Sequence, residues 1–147
     1  MHAYPHVYSA AASGEPAGIV PVRTPAAPEI GTAPPPQFDG PEGYWSPETL
    51  LIAALANCFI LTFRAISRGS RFDWLRLECK VDGVLDKLDG VTQFSKFDTQ
   101  ATLVIPQGAD AAKARQLLEK AEHLCLIANS LRGARTLQVA VVTPEAR

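Results

Sequence analysis

The stretch Ser46–Ser67, SPETLLIAALANCFILTFRAIS, constrains what this chain can fold into more than any other. It opens with Ser-Pro-Glu, which predicts an N-cap serine and a proline at the first helical position, where a missing N–H is harmless. It also puts a carboxylate beside the positive end of the helix dipole. Leu51, Ala54, Leu55, Cys58, Phe59, Thr62 and Phe63 then recur at helical spacing, while Leu50, Ile52, Ala53, Ala56, Ile60 and Leu61 make the other faces apolar as well. A helix apolar all round is expected to be buried all round. Its run of about 15 uninterrupted weakly polar or apolar residues falls short of the ~20 that cross a bilayer, so the expectation is a long buried central helix and no membrane span.

The 147 residues suffice for one ordinary domain with a real core. A net charge of -1 supplies no basic surface for nucleic acid or an anionic membrane. Three cysteines without a secretory leader point to reduced thiols and a cytoplasmic setting. Cys58, Cys79 and Cys125 lie far apart, with no C-x-x-C, and His2, His6 and His123 form no paired motif; no metal site and no cofactor are expected.

Residues 1–45 hold most of the prolines. His6–Ala12 and Gly18–Arg23 read as a hairpin around the turn Ser13-Gly14-Glu15-Pro16, at a sheet edge because Pro21 lacks a donor. Thr24–Trp45 reads as an extended loop that buries Phe38, Tyr44 and Trp45, or as a disordered linker. The central helix spans 46–68, with Gly69 placed as a left-handed cap. Residues 71–105 form a β-hairpin: Leu75, Leu77, Cys79, Val81 and Leu85 share one face, Asp89-Gly90 turns the chain, and Phe97, Thr99, Ala101, Leu103 and Ile105 share the facing side. An amphipathic helix carrying Ala114, Leu117, Leu118, Ala121 and Leu124 and a second short helix fill 109–132; a last strand fills 135–143. Strands in runs and helices in runs make one α+β domain over 1–147.

Taken by themselves, the candidate reactive residues have ordinary readings. Cys58 and Cys79 pack as small hydrophobes in a helix and a strand. Cys125 sits at a helix boundary, where backbone N–H groups favour a thiolate. Glu48 serves the helix dipole, and His123 is a solvated or capping histidine.

Two motifs change this picture. SPETLLIAALANCF, through Pro47, Glu48, Leu50, Leu51, Ala53, Ala54, Cys58 and Phe59, and AEHLCLIANSL, through Cys125, Asn129, Ser130 and Leu131, stand 67 residues apart between cysteines. Together they resemble the two cysteine motifs of the OsmC/Ohr superfamily, the osmotically inducible and organic hydroperoxide resistance proteins. The resemblance covers essentially the whole chain. It implies an OsmC-like fold, an intertwined homodimer with antiparallel sheets wrapped around the central helices and active sites at the subunit interface. It also implies a thiol-dependent peroxidase acting on organic hydroperoxides. By position, Cys58 is the peroxidatic cysteine, Cys125 resolves it as a disulfide, and an external dithiol reduces that disulfide. Glu48 matches the carboxylate that orients an arginine beside the thiolate.

The turn that carries this arginine in the family reads Ala11-Ala12-Ser13-Gly14-Glu15-Pro16-Ala17-Gly18 here and has none; Arg23 is the nearest candidate. Leu126 and Ala128 stand where the second motif usually has Pro and Ser. A buried thiol without a cationic partner stays protonated. The rival expectation is therefore a non-catalytic protein that binds a small apolar ligand around Phe59, Phe63 and Cys58. Glu48 and Cys58 are ten residues apart, about 15 Å along a straight helix. Either the helix begins after Glu48, or Glu48 serves the site of a second subunit.

Overall fold

The computed structural model describes residues 2–144. The chain is α+β and divides into two compact units, Met1–Leu51 and Ile52–Arg147, each described here by itself.

In the first unit, β1 (Ala11–Ala12), β2 (Val20–Arg23) and β3 (Ile30–Thr32) form an antiparallel sheet in the order β1-β2-β3. The expected hairpin is present but shortened, and β3 lies inside the stretch read as a loop. Three residues with a central glycine, bounded by Pro28 and Pro34, carry too short an alternation to register as a strand. Pro21 lies on the middle strand, opposite Gly31, and not at an edge. The short 3-10 turn Pro36–Phe38 ends at Asp39 in the left-handed region, and Gly40 follows because a Cβ there would lie 1.7 Å from the Pro34 carbonyl oxygen. Phe38, Tyr44 and Trp45 remain half exposed, contrary to their expected burial.

Helix α1 (Pro47–Gly69) begins at the expected place. Ser46 Oγ accepts from the Thr49 amide at 3.1 Å and Thr49 Oγ1 from the Ser46 amide at 2.8 Å, a reciprocal cap with threonine in the position often held by glutamate. The helix therefore includes Glu48. Its C-terminus is closed two residues later than expected: Arg71, not Gly69, takes positive φ, with the Phe72 amide on the Ser67 carbonyl and the Arg71 amide on that of Arg68.

Burial of α1 departs most from expectation. Leu55, Phe59, Phe63 and Ser67 are buried, a stripe at i, i+4 spacing, while Ala54, Asn57, Leu61 and Ala65 are exposed. At 23 residues, with mean hydropathy 1.9 over its best window, α1 is long and apolar enough to cross a membrane on those two measures, so the ~15-residue estimate was too short. Its buried stripe, however, packs into the globular core of the second unit: Phe59 and Phe63 join Leu77, Ala101, Leu103, Ile105, Leu117 and Leu118.

The second sheet has the order β4-β5-β6, with β4 Arg76–Leu88, β5 Val91–Val104 and β6 Ala134–Val142. Asp89 and Gly90, both at positive φ, make the tight turn from β4 to β5. Phe97, Thr99, Ala101, Leu103 and Ile105 are buried as the alternation predicts. Leu75 precedes the strand and is exposed, and a register shift between Val84 and Leu85 turns Leu85 out of the core. β6 pairs with β5 in parallel, which corrects the expectation of wholly antiparallel sheets. The connection from β5 through α2 (Ala111–Leu124) and α3 (Leu126–Asn129) is long enough to return the chain to the same edge direction. Asp110 caps α2 by accepting from the Lys113 amide, and the helix buries Ala114, Leu117, Leu118 and Ala121 but leaves Leu124 exposed.

Candidate active site

Cys125 ends α2 and begins α3, so its side chain stands at the junction of two helices and is 1% exposed. It belongs to a cluster with Leu55, Val81, Phe97 and Ala128, against which half-buried Cys58 packs. The two cysteines that the motifs singled out are thus brought together, as thiols. Burial pushes the Cys125 thiol up to about 11; backbone groups of Ala128 and Ile127 pull it partly back, while a side-chain hydrogen bond with Cys58 and the charge of Cys58 raise it further. Thr62 Oγ1, one turn further along α1, lies 3.8 Å from Cys58 Sγ.

A cavity of about 10 Å³ adjoins Cys125, lined by Leu55, Phe59, Phe97, Glu122 and Arg135 among others. It has room for about one water and not for an organic molecule. Phe59 is part of its wall. Phe63 is not; it is fully buried and meets Trp74 edge to face at 5.4 Å.

Arg135 and Glu122 escaped sequence reasoning. Arg135 Nε lies 3.1 Å from Glu122 Oε1, and its Nη1 donates to Asn129 Oδ1 at 3.2 Å, while Asn129 Nδ2 donates to the His123 carbonyl at 3.0 Å. This chain of contacts ties β6 to both sides of the turn that carries Cys125. Only the motif match of Asn129 hinted at it. His123 itself is largely exposed, as expected.

In the first unit, Glu48 shares the wall of a cavity of about 360 Å³ with Val20, Ala33, Pro34, Pro35 and Phe38. Its Oε2 is buried and has no hydrogen-bond partner. An unpaired buried carboxylate oxygen is costly and calls for a donor. Arg23 is not that donor: its Nη2 donates to Ser13 Oγ at 2.7 Å, in an exposed position. Among the described residues, no group of three or more His, Cys, Asp or Glu is placed to hold a metal ion.

A family profile described as "OsmC-like protein" matches residues 40–140. An uncharacterized protein of Bacillus subtilis, YmaD, is 30% identical over 108 residues, 71% of this chain and 72% of its own length. The peroxiredoxin OsmC of Escherichia coli is 28% identical over 101 residues, 69% of each chain. Among solved structures, an OsmC-like protein of unknown function from Vibrio cholerae superposes with a TM-score of 0.85 at 18% identity, covering 92% of this chain and all of its own. An organic hydroperoxide resistance protein from Legionella pneumophila does so at 0.74 and 22%, covering 95% and 99%. These structural likenesses establish a shared fold.

Proposed function

Because this chain belongs to the OsmC-like protein family, we propose that it is a thiol-dependent peroxidase that reduces organic hydroperoxides. The observation that carries this reading is the meeting of Cys58 and Cys125, 67 residues apart in sequence, in one buried cluster. The Cys58 thiolate attacks the peroxide O–O bond, releasing the alcohol and becoming a sulfenic acid. The Cys125 thiol condenses with it, water leaves, and a Cys58–Cys125 disulfide forms for an external dithiol to reduce. Cys125 suits the second role because its raised pKa keeps it protonated until a partner needs it.

Glu48, and with it the apolar cavity it lines, is the substrate side of the site. Helix α1 begins at Pro47 and so includes Glu48, which leaves the second of the two expectations for that residue. Glu48 therefore serves Cys58 of a second copy. The exposed apolar residues of α1, Leu61 at 49% among them, fit a homodimer in which that helix is covered. The setting is a reducing, cytoplasmic one, where the dithiol is available.

The test is consumption of cumene hydroperoxide with dithiothreitol as reductant. Cys58→Ser is expected to abolish turnover, and Cys125→Ser to leave a first oxidation to sulfenic acid that a second hydroperoxide carries on to sulfinic acid. Full activity in Cys58→Ser would overturn the proposal.

A further inference from the structure

We propose that Cys79 is a third redox cysteine, which takes the disulfide over from Cys58 by pairing with Cys125, so that one reduced chain consumes two hydroperoxides. For its oxidant this rests on the peroxidase reading above; for its geometry it rests on the packing of all three cysteines at one cluster. Cys79 is in the middle of β4, opposite Ala101 of β5, between Leu77 and Val81, which point into the core. It packs against both core clusters of its unit, including the one that contains Cys125 and receives Cys58. All three cysteines of the chain are thus gathered at one cluster, although Cys79 belongs to neither family motif.

Burial, and in second place the charge of Cys125, push the Cys79 thiol up to about 11. A strand position that asks only for a small hydrophobe would be served as well by valine, which places no nucleophile there.

The first hydroperoxide oxidises Cys58 to sulfenic acid with release of alcohol, and condensation with Cys125 expels water and leaves the Cys58–Cys125 disulfide. The Cys79 thiolate then attacks the Cys125 sulfur: the Cys79–Cys125 bond forms, the Cys58–Cys125 bond breaks, and Cys58 departs as a thiolate, with no net oxidation. The freed Cys58 reduces a second hydroperoxide to alcohol and ends as a sulfenic acid. The transfer step is slow near neutral pH, since the attacking thiol is largely protonated, and quickens by roughly tenfold per pH unit up to its pKa.

The experiment uses the full reduced chain with two equivalents of tert-butyl hydroperoxide and no reductant, counting alcohol formed and mapping peptides. Two equivalents are expected, with Cys79 linked to Cys125, and the second equivalent arrives faster at pH 9 than at pH 7. Cys79→Ser and Cys79→Ala are expected to stop at one equivalent with Cys58–Cys125 linked. A wild-type chain that stops at one, or takes its second equivalent as sulfinic acid on Cys58 with Cys79 still a thiol, overturns this proposal and leaves the peroxidase reading standing. No consumption at all overturns both. A second arm needs no peroxidase chemistry: diamide added to Cys58→Ser is expected to link Cys79 to Cys125, and failure to do so overturns the proposal.

Discussion

The surroundings of Cys125 and those of Glu48 differ in almost every physical respect. Around Cys125 the structure is closed: the thiol is 1% exposed, the adjoining cavity is about 10 Å³, and the polar groups nearby, Glu122, Arg135 and Asn129, are paired with one another. Around Glu48 it is open: the cavity is about 360 Å³, half-exposed Phe38 forms part of the wall, and a carboxylate oxygen is left without a donor. Packing and pairing are complete around the one residue and incomplete around the other.

If that contrast is real, truncating an aromatic should cost very different amounts in the two places. Phe63→Ala, which empties the space against Trp74 and Leu118, is expected to destabilise the chain by about 3–5 kcal/mol in urea unfolding. Phe38→Ala, at the open cavity, is expected to stay within about 1 kcal/mol. Equal losses would erase the distinction between a packed and an open region.

The closed region should also show itself in pH dependence. Cys79 and Cys125 are raised from 9.0 to about 11 in the folded chain. The unfolded thiols ionise near pH 9 while the folded ones remain neutral, so the stability these two groups contribute is fully present below pH 9 and is lost as pH rises from 9 to 11. Unfolding of the reduced chain at pH 8, 9.5 and 11 is expected to show that fall, and Cys79→Ala to flatten part of it. A stability unchanged across the interval would contradict the closed description.

The open region should behave in the opposite sense. Glu48→Gln removes the charge from a carboxylate with an unpaired buried oxygen, and a gain of about 1 kcal/mol in stability is expected together with a loss of hydroperoxide turnover. A variant both less stable and fully active would mean that Glu48 is a structural residue.

How far these two regions could be read in the sequence also differs. The thiol region was largely legible. Alternation fixed the inward face of β5 from Phe97 to Ile105, helical spacing fixed the buried face of α2, and two motifs marked Cys58 and Cys125. What escaped there depended on tertiary structure: the ion pair of Arg135 with Glu122 joins β6 to α2, and no local pattern announces a parallel partner for β5. The proline-rich unit was less legible, because β3 is three residues long and Pro21 lies mid-sheet against the rule that places proline at edges. The burial of α1 was misjudged for a different reason. An all-round apolar sequence does not say which face the chain itself covers, and this fold covers only the stripe from Leu55 to Ser67.

The measurement that bears most directly on the central claim is a peptide map of the reduced chain quenched by alkylation seconds after adding less than one equivalent of tert-butyl hydroperoxide at pH 7. The first product is expected to be a disulfide between the Cys58 and Cys125 peptides. Consumption of the hydroperoxide without a matching loss of alkylatable Cys58, or no consumption at all, would contradict it.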